Sequence, residues 1–197
     1  MKLKFVLIFF LLIGFLSCQN SYTPKPRGYF RIDLPAKGYD TLPAGFPFRF
    51  LVPKYAELSR YSGRFVADGQ SEDWLNVDFP DFSAHIHLTY KNVEENLGEL
   101  IEDAHAFAYK HSIKADAIVQ SRFMYSVSEV YGIVYQIKGN TASSLQFFCT
   151  DSTRHFLRGA LYFDTEPNKD SLAPVIEFLG KDIKILIESL EWEHTKR

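Results

Sequence analysis

Ala84-His-Ile-His-Leu-Thr-Tyr90 decides how this chain is read. Its residues alternate without exception. Ile86, Leu88 and Tyr90 fall on one side of an extended strand, and His85, His87 and Thr89 on the other. Immediately afterwards the period changes from two to 3.6. Leu97, Leu100, Ile101, Ala104, Phe107 and Ala108 make one helical stripe, which predicts a helix over about 93–112. Asn92 is placed to cap it, and Glu95, three residues on, completes the pattern of a capping box. Gly98 inside this helix costs about 1 kcal/mol relative to alanine. A half-buried strand followed at once by an amphipathic helix calls for a sheet with a helix packed on it.

Downstream, strand patterns return over 116–124, Val130–Ile137, Ser144–Cys149 and His155–Phe163. Gly139-Asn140 and Thr150-Asp-Ser-Thr153 are the turn signals between the last three. The short connections make this part of the sheet antiparallel. Asp170-Ser171 opens a closing helix with the stripe Val175, Ile176, Leu179, Ile183, Leu186, Ile187 and Leu190, and Pro174 is expected in its first turn. Upstream, Trp74–Phe79 and Phe48–Phe50 alternate, each run stopped by a proline. The fold class is α+β, a largely antiparallel sheet with two long helices packed on it. The order of elements resembles the Mog1/PsbP type.

The N-terminus carries a different signal. Lys2 and Lys4 precede the apolar run Phe5–Ile13, then Gly14-Phe-Leu-Ser17 and Cys18. This is a secretory signal, too short for a membrane-spanning helix. A small residue directly before cysteine resembles the lipobox of bacterial lipoproteins, although Phe15 stands where an aliphatic residue is usual. The resemblance implies cleavage before Cys18, which then carries lipid. Residues 1–17 are accordingly a signal peptide, 18–47 a lipidated, proline-rich arm, and 48–197 a single α+β domain. Two or more acyl chains make a stable anchor.

Composition excludes several classes. Without Lys2 and Lys4 the chain has 20 basic and 24 acidic residues, a net charge of −4. It shows no basic face for nucleic acid. With Cys18 lipidated, Cys149 is left without a disulfide partner, so stability must come from packing. The 18 Phe and 11 Tyr residues suggest an aromatic core. No cofactor fingerprint appears, and the domain is expected to fold without metal, disulfide or cofactor.

Candidate chemistry is sparse. His85 and His87 share a strand face and could supply two metal ligands, but no third is paired with them in the sequence. Asp151, Ser152 and His155 have the residue types of a hydrolase triad at a spacing too close for its geometry. A turn with local side-chain bonds explains Asp-Ser-Thr better. Cys149, between Phe148 and Thr150, reads as a buried thiol. Nothing here argues for an enzyme.

The segment Tyr22-Thr-Pro-Lys-Pro-Arg-Gly-Tyr-Phe-Arg-Ile-Asp-Leu-Pro35 interleaves cations and aromatics in a proline-stiffened chain. Arg27, Tyr29, Phe30 and Arg31 are types that concentrate at interaction hot spots. They suit either a partner or a groove on the chain's own domain, with Phe30 and Ile32 as the filling. This segment, Gln146-Phe-Phe-Cys-Thr-Asp-Ser-Thr-Arg-His-Phe-Leu-Arg-Gly-Ala-Leu-Tyr-Phe163 and Pro167-Asn-Lys-Asp-Ser-Leu-Ala-Pro174 resemble the gliding-motility lipoprotein family GldD of the Bacteroidota. The resemblance implies an envelope lipoprotein required for gliding, where gliding is tied to type IX secretion. Its partners would be the membrane, through the anchor, and protein components of that machinery. Arg27, Tyr29, Phe30 and Arg31, with Arg154 and Arg158 from the second string, are the candidate contacts. Surface export in these bacteria resembles a rule of acidic residues just after the lipidated cysteine; by that resemblance, uncharged Gln19-Asn-Ser21 implies the periplasmic face of the outer membrane.

Cys18→Ala should abolish metabolic labelling with radioactive palmitate. Undiminished labelling of that variant would refute lipidation at Cys18.

Overall fold

The computed structural model describes residues 32–60 and 74–193. Among these, the strands in chain order are β1 (Tyr39–Thr41), β2 (Phe48–Arg49), β3 (Leu51–Pro53), β4 (Glu57–Arg60), β5 (Trp74–Phe79) and β6 (Ala84–Asn92). Helix α1 (Leu97–Tyr109) follows, then β7 (Ala115–Tyr125), β8 (Val130–Gly139), β9 (Ser143–Thr150) and β10 (His155–Phe163). Helix α2 (Lys169–Glu188) and the short β11 (Glu191–Trp192) complete the order.

Seven strands form one antiparallel sheet in the order β4-β5-β6-β10-β9-β8-β7. The topology follows from the crossover. Helix α1 carries the chain from β6 to the far edge at β7. A meander of three hairpins then walks back until β10 pairs with β6. The α+β class holds, with two helices and a large antiparallel sheet.

The bounds of β5 and β10 coincide with the alternating runs. The join between β6 and α1 does not. Lys91 and Asn92 pair with Phe156 and His155, so the ladder uses the residues that a capping box would need. Asn92 accepts the Tyr90 hydroxyl at 2.9 Å instead of capping. Glu95 lies at φ +61°, and the helix begins only at Leu97. A further turn of tighter helix, Lys110–Ile113, extends its end. At α2, Asn168 is the cap, its side chain accepting from the Ser171 N–H at 3.2 Å. The helix therefore starts at Lys169, and Pro174 falls in its second turn. There it removes one backbone donor from the ladder.

The larger core lies between α2 and one face of the sheet. Leu75, Val77, Phe79, Ile86, Leu88, Phe147, Leu157 and Leu161 meet Val175, Leu179, Ile183 and Leu186. Gly159 lies at the centre of this face. A Cβ there would stand 2.2 Å from the end of the Phe147 ring, so the ring lies across bare backbone. Ile176, expected in the stripe of α2, is only half-buried, and Phe178 is buried in its place.

One residue in the stripe of α2 is not apolar. Asp182 is 1% exposed. Its carboxylate accepts from Lys37 Nζ at 2.7 Å, from the Tyr39 hydroxyl at 2.7 Å and from the Tyr55 hydroxyl. Lys37 Nζ also sits 3.2 Å from the centre of the Phe178 ring. Burial, reinforced by donation to Asp182, raises both phenols and keeps them protonated. These bonds hold residues 37–55 against α2. Further along the proline-rich stretch, Leu42 is buried in the core and β1 pairs with β3. Ile32 packs at the core's edge. Residues 32–42 thus hug the domain, with a short strand the prolines gave no sign of.

Leu186 is 2% exposed in the middle of the α2 face. Leu186→Ala should cost about 2–5 kcal/mol in a denaturant titration. A loss below about 0.5 kcal/mol, the range of neutral surface substitutions, would mean this face is not the core.

Candidate functional site

Among the described residues, helix cover on the second face of the sheet is confined to one half. Helix α1 lies over β9 and β10. It buries Leu100, Ala104 and Ala108 against Tyr135, Ile137, Phe148 and Phe156. Beyond it, β5, β6 and the adjoining part of β10 present Trp74, Asn76, Asp78, His85, His87, Thr89, Arg158 and Tyr162, all partly exposed. Alternation puts them there, because their neighbours Leu75, Val77, Ile86, Leu88, Leu157 and Leu161 fill the first core. Cross-strand register sets the rows. Asn76 stands opposite His87, His87 opposite Ala160, and Ala160 opposite Gln146. In the next row Trp74, Thr89, Arg158 and Phe148 line up.

The side chains in these rows are ordered by specific contacts. His87 Nδ1 is 2.8 Å from Asn76 Oδ1, and its ring meets Trp74 edge-on. His85 stacks on Tyr162 and lies 3.5 Å from an Asp164 oxygen. Arg158 Nη2 donates to Gln146 Oε1 at 2.7 Å, and its guanidinium carbon sits 4.6 Å from the centre of the Phe107 ring. Burial pushes the His87 imidazole below its ordinary pKa, and the charges of Arg158 and His85 add to this. His111 is lowered by burial and by Arg158. Burial lowers Arg158 itself, opposed by its contact with Tyr162.

The structure therefore brings together residues that the sequence offered for different reasons. His85 and His87, candidate metal ligands, share a face with Arg158, a candidate partner contact. Among the described residues no group of three His, Cys, Asp or Glu side chains is placed to hold a metal ion. Arg154 lies elsewhere. It is exposed on the β9–β10 turn, about 13 Å along the strand from Arg158. Its carbonyl accepts from the Val93 N–H at 2.8 Å and so ties that turn to the end of β6. Cys18, Arg27, Tyr29, Phe30 and Arg31 lie outside the described residues.

The triad-like residues form a turn. Asp151 accepts the backbone N–H groups of Thr153, Arg154 and His155, at 2.8–2.9 Å, and the Thr153 hydroxyl at 3.0 Å. Partial burial would raise this carboxyl, but the four donors outweigh it and hold the pKa down. His155 is buried, bonded to the Tyr90 hydroxyl at 2.7 Å and stacked on Trp192. Ser152 is exposed at φ +69°. Cys149 is fully buried, and burial pushes its thiol far up, away from the reactive thiolate.

Two features escaped the sequence reading. Gln146 stands in a phenylalanine-rich strand and is 1% exposed. Asp182 occupies a core position of α2. The signal for Asp182 was present, since an acid three residues after Leu179 breaks the stripe on its buried side. Gln146 gave none, because both faces of β9 are buried and its alternation carries no contrast.

The family model of the gliding motility lipoprotein GldD matches residues 19–192. The chain belongs to this family. Membership makes it a membrane-anchored lipoprotein of the cell envelope with a role in gliding motility. The matched span begins directly after Cys18 and takes in both cores, the Asp182 cluster and the uncovered sheet face of this GldD family member. No helix among the described residues is long and apolar enough to cross a membrane. No curated protein matches the chain.

The lowered histidines fix a direction of pH dependence. A histidine whose folded pKa is below its unfolded value of about 6.5 binds its proton preferentially in the unfolded chain. Its contribution to stability is intact above about pH 6.5 and is lost as pH falls below it. Melting temperature should therefore drop between pH 7.5 and 5.5, and His87→Gln should reduce that drop. An unchanged pH profile in the variant would refute the inferred effect of burial and Arg158 on His87.

Proposed function

We propose that the protein is a non-enzymatic accessory or assembly subunit of the gliding and type IX secretion apparatus. In this reading lipid on Cys18 holds it at the periplasmic face of the outer membrane. It contacts protein components of the machinery through Arg27, Tyr29, Phe30 and Arg31 and through the surface that includes Arg154 and Arg158. The observation that carries the reading is the family match across residues 19–192. The described geometry agrees with it. Of the residues weighed for nucleophilic chemistry, Cys149 is buried, Asp151 closes a turn and His155 is buried against Tyr90, while Ser152 is exposed. Apolar side chains are also exposed along one side of the domain, Ile113 at 93%, Met124 at 71% and Val127 fully. Exposed apolar area suits contact with other proteins.

A second reading, a periplasmic protein that takes a small ligand or a metal ion at the His85/His87 face, is favoured by one observation. Both imidazoles lie on the uncovered half of the sheet beside Arg158. Double substitution of His85 and His87 by Ala separates the two readings. The accessory-subunit reading expects near-normal gliding at normal protein level. Loss of gliding together with loss of bound zinc would favour the metal.

Replacing Arg27, Tyr29, Phe30 and Arg31 together with Ala should abolish gliding while the protein stays anchored and melts normally. A melting curve and a motility assay on the same variant check this. Early melting would mean these side chains pack on their own domain. Normal melting with normal gliding would show that the segment is only a spacer.

A further inference from the structure

Among the described residues, the second sheet face beside α1 gathers positive charge around one ring. Arg158 lies over Phe107 at 4.6 Å and Lys110 Nζ lies over the same ring at 4.4 Å. His87 and His111 both feel the charge of Arg158. Among the described residues Arg158 forms no ion pair with a carboxylate, although it is half-buried. The acids of this face are engaged elsewhere, Asp78 by the Ser59 hydroxyl and Asp164 near His85. A cation drawn out of water needs a counter-charge or a full set of acceptors. Arg158 has the Gln146 carbonyl oxygen, a contact with Tyr162 and a ring face. The negative end of the α1 dipole offsets part of the charge, about half an elementary unit.

The dipole leaves the Gln146 side chain unexplained. Its Oε1 accepts from Arg158, which fixes the orientation of the amide, since a guanidinium has no acceptor. Its Nε2 is therefore the amide's donor end, on the same side-chain group that holds the guanidinium. That nitrogen is buried, and among the described residues it has no hydrogen-bond acceptor. A buried N–H without an acceptor is destabilising, because it has given up water and gained no partner. Cation and orphan donor lie on one bonded side-chain pair and both lack a full partner, and the Tyr135 hydroxyl on the next strand, opposite Gln146, is likewise buried and unpartnered.

We propose that Arg158 and the Gln146 amide N–H, flanked by His87 and Lys110, form a binding site for an oxyanion, a carboxylate or phosphate group carried by a ligand. The guanidinium supplies a fork that matches two oxygens, and the amide adds a third donor from the strand below. Water could satisfy the amide but brings no charge to Arg158. The site goes beyond the motility reading and stands on geometry alone, so its failure leaves the family assignment untouched.

The test is thermal unfolding of the full lipidated protein in detergent, titrated with inorganic phosphate or with acetate, against chloride at equal ionic strength. One or both oxyanions should stabilise saturably. At ten times its Kd the ligand shifts the folding equilibrium about tenfold. Which of the two acts distinguishes a phosphate from a carboxylate ligand. Gln146→Glu places a carboxylate beside Arg158. This variant should melt higher than the parent and lose the response. Arg158→Gln should also lose it; should that variant not fold, Gln146→Glu decides alone. A flat response of the parent to both anions, or a response that persists in Gln146→Glu, overturns the proposal.

Discussion

Strand β9 is buried at all eight of its positions, and that requirement organises the rest of the molecule. A strand buried on both faces needs a layer on each side. Helix α2 supplies one layer, over Leu145, Phe147 and Cys149. Helix α1 supplies the other, over Phe148. The crossover that carries α1 past β10, β9 and β8 is what lets β7 start at the far edge. The meander can then close back onto β6. Helix α1 contacts β9 and β10, and among the described residues the histidines of β6 and Arg158 lie beside it.

Alternation was legible wherever one face was wet. β5 and β6 could be read residue by residue because Leu75, Val77, Ile86 and Leu88 alternate with Trp74, Asn76, His85 and His87. The same logic ran out at β9, where polar Gln146 and apolar Phe148 are both buried. Capping rules pointed to Asn92, yet pairing with His155 won, because ladder bonds and side-chain burial across β6 and β10 exceed what one cap contributes. Strands β1, β4 and β11 have two to four residues each, too short for any periodic signal. Long-range contacts such as Asp182 with Lys37, Tyr39 and Tyr55 span more than a hundred residues, and no local pattern encodes them. The candidate site was legible in its parts, His85, His87 and Arg158. Their assembly came from the β6–β10 register.

The two polar devices of the interior differ in completeness. The Asp182 carboxylate receives three donors, one of them the Lys37 cation, so its burial is matched by partners. The Gln146–Arg158 pair is matched on one side only. Complete networks fix structure, while incomplete ones mark places where something else can enter. An incomplete polar site among the described residues is chemically suited to recognition.

The clamp at Asp182 also has a mechanical meaning. In a lipoprotein of a motility system, tension between the anchor and the domain must enter through the N-terminal segment, whatever path the chain takes before Ile32. Among the described residues, the first contacts to feel it are Ile32 on the core's edge, Lys37 and Tyr39 on Asp182, and the three-residue pairing of β1 with β3. None of these belongs to the seven-stranded sheet. Peeling residues 32–42 away would lengthen the tether and leave every strand pair of that sheet in place. Along the described residues, a load on the tether would meet the Lys37–Asp182 ion pair before the central strands.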